Sequence, residues 1–266
     1  MKRILDDIRE MVSEQVQYRE LLYQMTLRDL LLRYKQSVMG FGWAVFMPLV
    51  NTAVFSVIFT RVAPLQTGLP YPLFAFSGLL AWNFFAASLR LSVISLTSNA
   101  VLVAKIFFSR EILPFSSVIV CAIDFGVGFL VLIAMMVYYH ITPTPTILFL
   151  PVVIAVQVLF TTGVALILSM ANLFYRDVKY LFEVLITVWM FATSVVYPST
   201  SIGGRLGIVL RLNPMTAIID GYRDVLLLGR LPDAVAFSVV TIFSFAVVAL
   251  AWLIFHRAEF QFAENV

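Results

Sequence analysis

Residues 38 to 60, "VMGFGWAVFMPLVNTAVFSVIFT", run for 23 positions without a charged side chain. As a helix rising about 1.5 Å per residue, such a stretch covers the ~30 Å hydrocarbon core of a bilayer. One helix of this kind could be hidden in a soluble core, but outward from it the pattern repeats. Comparable runs occur at Tyr71 to Ser95, Pro114 to Tyr139, Ile147 to Ala171, Leu181 to Tyr197 and Ala234 to Phe255. The chain is 61% hydrophobic and 12% charged, with a mean hydropathy of +0.97, more apolar side chain than a 266-residue globule can bury. The expectation is an all-α polytopic membrane protein with six transmembrane helices. Residues 1–37 form an N-terminal segment, residues 38–256 the membrane domain and residues 257–266 a tail.

Charge sets the orientation. Lys2, Arg3, Arg9, Arg19, Arg28, Arg33 and Lys35 precede the first span, too many charges and too late an apolar run for a cleavable signal peptide. Positive residues favour the cytoplasmic side, so both termini and the loops carrying Lys105, Arg110, Arg176 and Lys179 are expected there. The net charge of +3 and pI near 9.1 follow from this loop bias and give no reason to invoke nucleic acid.

Several chemistries are excluded. A phosphate-cradling loop needs a glycine before its lysine, and none of Lys2, Lys35, Lys105 or Lys179 follows one. His140 and His256 fall at opposite membrane faces, so HExxH and three-histidine metal sites are absent. Cys121 is the single cysteine, which rules out a disulfide framework and a thiolate metal cluster. No Gly-x-Ser-x-Gly elbow occurs. Arg90, Asp124 and Glu183 are the ionisable groups within the spans, and they form no obvious acid/base pair. No catalytic residue, metal site or cofactor is assigned to this chain.

Tyr18 to Lys35 reads as an amphipathic helix at the interface. Glu20, Gln24 and Arg28 make a polar stripe, flanked by Leu21, Leu22, Met25 and Leu32 on one side and by Tyr23, Leu27, Leu30 and Tyr34 on the other. It serves either as a juxtamembrane anchor or as a docking element. In the first span, spacings of three and four place Trp43 with Phe46 and Phe55 with Phe59; together with Trp82 they are either packing aromatics or a stacking surface for sugars. Arg90 reads as a snorkelling side chain. Asp124, about 15 Å into the third span, must face protein or water and find a partner. Asn99 to Pro114 reads as a short helix ended by Pro114, and Asn172 to Tyr180 as a second charged knuckle on the same side.

Asn213 to Arg230, "NPMTAIIDGYRDVLLLGR", is too short and polar to cross. Asn213 caps it, Pro214 suits its first position and Gly229 can end it. With the preceding "GGRLGIVLRL" it reads as a re-entrant periplasmic hairpin at about 200–229, dipping into the membrane before the last span. A helix lying flat on the outer leaflet is the alternative.

Four segments, "RDLLLRYKQSVMGFGWAVFMPL", "KIFFSREILP", "NLFYRDVKY" and "NPMTAIIDGYR", in this order around six spans, together resemble the ABC-2 permeases of ATP-binding-cassette transporters. The polysaccharide-exporting branch is the most similar. The resemblance implies a homodimer paired with two copies of a separate cytoplasmic ATPase that carries the ATP and Mg. It implies a lipid-linked polysaccharide substrate, O-antigen foremost, in a bacterial inner membrane. Capsular polysaccharide or teichoic acid is the next reading, then a drug- or haem-exporting ABC-2 permease, then a membrane-embedded transferase. By the same resemblance Arg28, Lys105, Phe107, Arg110, Glu111, Arg176 and Asp177 are expected to couple to the ATPase through short cytoplasmic coupling helices. Trp43, Phe46, Phe55, Phe59 and Trp82 are expected to line a channel. Asn213, Pro214, Met215, Tyr222 and Arg223 are expected at a periplasmic gate.

Overall fold

A computed structural model describes residues 13–262 apart from Gln36, Phe41, Ala63 and Gln66. Residues 1–12 of the expected 1–37 segment and 263–266 of the 257–266 tail therefore lie outside the described residues. Among the described residues all regular structure is helical. The elements are α1 (Arg19–Tyr34), α2 (Gly42–Val57, continued by a π-turn, Ile58–Val62), α3 (Tyr71–Ser98), α4 (Ala100–Lys105), α5 (Ile112–Tyr138), α6 (Leu150–Phe174), α7 (Val178–Phe191), α8 (Gly204–Leu212), α9 (Pro214–Arg223, continued by a π-turn, Asp224–Leu228) and α10 (Ala234–Ala258).

Among the described residues five stretches are long and apolar enough to cross a membrane: Gly42–Val62, Tyr71–Ser98, Ile112–Tyr138, Pro145–Phe174 and Ala234–Gln261. The run expected as a fifth span, Leu181 to Tyr197, departs from the expectation. Its helix, α7, has 14 residues, about 21 Å, and stops at Phe191. Beyond it the backbone leaves the helix, because its carbonyls are claimed from elsewhere: Asn213 Nδ2 donates to Ala192 O, and Arg223 to Ser194 O and Val195 O.

Helix α3 is the axis of the bundle. Phe76, Phe85, Leu73 and Leu89 on it are fully buried, and α2, α5, α6, α7 and α9 all pack around it. Helix α10 packs on α6. By contrast α2 is almost bare, with 11% of its apolar window covered against 72% for α3. A chain this apolar leaves such a face for lipid or for another protein surface.

The helices define two ends. At one, Asn172 near the end of α6 reaches Thr97 near the end of α3, and its Oδ1 accepts from Lys179 N at the start of α7. At the other, the Tyr71 hydroxyl donates to Val196 O. Residues 178–197 therefore run from one end to the other, first as helix and then as a series of turns and bends.

Two local expectations change. Pro114 does not end a helix. The short helix stops at Lys105 and Pro114 lies in the first turn of α5, where its missing N–H leaves no bond unmade. On α1 the face turned to protein carries Thr26, Asp29 and Arg33 as well as Leu22 and Met25, while Leu31 and Leu32 are 60% exposed.

Candidate functional site

Both ends are built around buried charge. At the end where α3 and α6 terminate, Glu111 is fully buried just ahead of α5. Its Oε2 accepts from Gln15, Trp252 and Ser109, and its Oε1 lies 3.5 Å from His256 Nδ1. Glu259 Oε1 accepts from the Arg110 backbone N–H at 2.9 Å and pairs with the Arg110 guanidinium at 3.3 Å. One carboxylate pair thus ties the N-terminal segment, the 106–111 loop and the foot of α10. Burial pushes the Glu111 carboxyl up to about 7, and Glu259 adds to the rise, while the Trp252, His256 and Gln15 contacts oppose it. Glu14, His256 and Glu259 also bring ligand atoms within 4.8 Å of one another, a grouping that spans the chain and so escapes any search by sequence spacing. Arg110 already neutralises Glu259 there.

Next to this knot Phe107 is 95% exposed, and Ile106 and Lys105 are exposed beside it. Arg176 and Asp177 are exposed on the neighbouring turn, which the Asn172–Thr97 contact brings to the same end. Arg28 pairs with its neighbour Asp29 at 2.7 Å. Of the seven residues expected to couple, five are therefore in reach of a partner, whereas Glu111 is sealed and Arg110 nearly so.

Asp124 has the partners its depth demanded. Arg33 donates to it at 2.6 Å and Tyr34 donates to its other oxygen. Above this pair a cavity of about 420 Å³ is lined by Trp43, Met47, Asn51, Asn83 and Arg90 among others. Arg90 is not a lone snorkelling group, since it pairs with Glu183 at 3.1 Å across the α3–α7 gap.

The expected aromatic lining divides. Trp43 and Phe46 are edge-to-face and nearly half exposed, whereas Phe55 and Phe59 stack and continue through Tyr71 to Phe74. Trp82 is 3% exposed, locked against Phe85 and Trp189, so within this chain it packs the core rather than presenting a surface.

At the opposite end α9 is inserted into the bundle, with Met215, Ile218, Ile219 and Tyr222 buried. Its start follows the local signals: Asn213 Oδ1 accepts from Met215 N, Pro214 opens the helix, and Gly229 closes the π-turn with φ +64. Asn213 does more, since its Oδ1 also accepts from Trp189 Nε1 and its amide donates to Thr193. The Tyr222 hydroxyl donates to buried Gln157, which donates to Ala81 O. Arg223, 3% exposed, stacks on Phe74 and donates to Phe74 O, Ser194 O, Val195 O and Asp220. Gly78 makes room for this: an added Cβ would lie 2.2 Å from Val195 O and 2.5 Å from the Arg223 guanidinium. The five residues expected at a gate thus lie along α9 and its cap, each of Asn213, Tyr222 and Arg223 with its own set of partners, and Met215, Tyr222 and Arg223 are 3% exposed or less. Sequence reasoning singled out neither Gln157 nor Gly78; a glutamine and a glycine inside apolar runs were the available signals.

Five helices among the described residues are long and apolar enough to cross a membrane, as in a multi-pass membrane protein. The sequence matches the model of the ABC-2 type transporter over residues 20–227. The chain belongs to that family. It is 31% identical over 259 residues to the O-antigen export system permease protein RfbA of Myxococcus xanthus, covering 96% of this chain and 99% of that one. It is 32% identical over 248 residues to the protein of the same name from Klebsiella pneumoniae, covering 92% and 94%. The polysialic acid transport protein KpsM of Escherichia coli is 20% identical over 247 residues, covering 88% and 91%.

Proposed function

We propose that this chain is the membrane-spanning subunit of an ATP-driven exporter for a lipid-linked polysaccharide, with O-antigen as the first candidate polymer. The observation that carries the reading is near end-to-end similarity to permeases named for O-antigen export. Similarity to a capsule-type transporter is weaker, which leaves capsular polymer as the second reading.

In this reading the protein is a homodimer in a bacterial inner membrane, with both termini cytoplasmic, and two copies of a separate ATPase supply ATP and Mg. The nearly bare α2 supports a second copy, because its Trp43–Phe46 pair is nearly half exposed. Two such faces would enclose a channel on which sugar rings slide by weak stacking. Residues 178–197 form the sixth crossing, completed by irregular backbone after α7, and residues 200–229 form the re-entrant hairpin that closes the outer end. Phe107, Lys105, Arg176, Asp177 and Arg28 face the ATPase. Arg110 and Glu111 act behind them as positioning residues, passing movement of the 106–111 loop to the foot of α10. Closure of the ATPase dimer then moves rigid helices rather than a flexible loop.

The test is genetic and biochemical together. Deletion of the chain is expected to strip polymer from the cell surface and accumulate it on its lipid carrier inside, and the purified chain is expected to bring an ATPase with it. Normal surface polymer in the deletion strain would refute the exporter reading.

A further inference from the structure

A cavity of about 540 Å³ opens at the Arg223 end, within the usual range for small-molecule sites of roughly 300–1,000 Å³. Residues of the 67–69 loop, the 198–200 turn, α9 and the start of α10 form its walls. Three acids, Asp220, Asp224 and Asp233, and three arginines, Arg211, Arg223 and Arg230, line it. The charges balance, and two pairs are coupled, Arg223 with Asp220 at 3.3 Å and Arg230 with Asp224 at 2.7 Å, while Asp233 accepts from the Ala236 N–H at the start of α10. Thr216, on the wall, keeps a buried hydroxyl that has no hydrogen-bond partner. A buried hydroxyl of this kind is normally satisfied, and leaving one unmade is costly.

This lining selects against ions. At the two coupled pairs a phosphate or a carboxylate would have to displace an aspartate from its arginine, and a cation would meet a guanidinium beside Asp220 and Asp224. A neutral ligand that carries donors and acceptors on adjacent atoms fits instead, since each hydroxyl can donate to an aspartate and accept from an arginine or threonine. Vicinal sugar hydroxyls have that pattern. The exposed Arg230 side chain and the Ser199–Thr200 turn supply further groups at the rim. We infer that this cavity is a carbohydrate subsite that holds a short neutral stretch of the exported polymer beside the hairpin. The inference rests on the exporter reading, and it adds a defined binding position to it. Holding the chain at the exit by hydroxyl contacts, exchanged one for another as it advances, biases against back-sliding without gripping a single sugar sequence.

The experiment places a photo-crosslinking benzoylphenylalanine at Ala217, on the cavity wall, in the full exporter within cells that make the polymer. A ladder of polymer adducts is expected that disappears when polymer synthesis is deleted. Two plugging variants, Ala217→Trp and Thr200→Trp, the latter on the exposed rim, are expected to lower export several-fold while the permease still co-purifies with its ATPase. No adduct, together with normal export by assembled Thr200→Trp, would overturn the subsite. An adduct that persists without polymer synthesis would assign the cavity to a lipid or headgroup and overturn it as well. Neither result resembles failure of the exporter reading, which shows as unchanged surface polymer when the whole chain is deleted.

Discussion

The Arg223 guanidinium carbon lies 3.6 Å from the centroid of the Phe74 ring, and the two terminal nitrogens donate to the Ser194 and Val195 carbonyls at 2.6 Å each. One side chain thereby holds three segments: α9, the axis helix α3 and the turn after α7. Its planar fork is what makes this possible, because stacking and two parallel bonds use the same rigid group.

Replacing Arg223 with Ala should therefore cost about 3 kcal/mol or more, since buried carbonyls lose their donors and Asp220 loses its cation. Arg223→Lys keeps the charge but not the fork or the stack, and should recover only part. The thermal midpoint of the purified complex measures both, and equal stability of wild type and alanine variant would contradict that role.

Gly78→Ala tests the same junction from the other side. The methyl group would sit 2.2 Å from Val195 O, a backbone atom that cannot rotate away, so α3 and the 193–197 segment must separate. The variant should lose assembled protein, and Arg223→Ala should not rescue it, because the carbonyl remains in the way.

Arg33 and Asp124 join α1 to α5 at 2.6 Å. Asp124→Ala and Arg33→Ala should each loosen α1, and the double variant should cost less than the two single costs added together, as expected for residues in direct contact. Amide exchange in residues 19–34 is the readout, with faster exchange expected in each single variant. Additive effects would mean the ion pair does not hold the helix.

Glu111 gives a pH dependence with a definite sign. Its carboxyl is raised from an ordinary value of 4.5 to about 7 by burial, so the folded state binds this proton more tightly than the unfolded state. Its contribution to stability is fully present below pH 4.5 and is lost as pH rises through about 7. Melting of the purified complex should thus be lower at about pH 8 than at about pH 5, and Glu111→Gln should flatten that difference. An unchanged slope in the glutamine variant would rule Glu111 out as its source.

Phe107, almost wholly exposed, contributes little to this chain's own packing. Phe107→Ala should leave the stability within about 0.5 kcal/mol of wild type yet lower polymer-stimulated ATP hydrolysis several-fold. Full stimulation would remove Phe107 from the contact with the ATPase.

Local signals read well from sequence where they are also the cause. The Asn213 cap, Pro214 and Gly229 define α9 because each acts on its own backbone. The long helices announced themselves by apolar length, α3 and α5 in spite of Arg90 and Asp124, and α10 ends where His256 and Arg257 form its charged foot. What stayed hidden depends on distant partners. Leu181 to Tyr197 looks like any span by composition, and its helix stops at Phe191 because of a guanidinium 28 residues beyond Val195. Glu111 reads as a solvated loop charge until Trp252, 141 residues away, is folded against it. The same holds for Trp82, whose partner Trp189 lies on another helix.

The turn after α7 has a consequence for how the protein is made. Residues 192–197 cannot rest in lipid with bare carbonyls, and the groups that satisfy them, Asn213 and Arg223, are synthesised later in the chain. The turn therefore stays incomplete until α9 has been made and has folded against it.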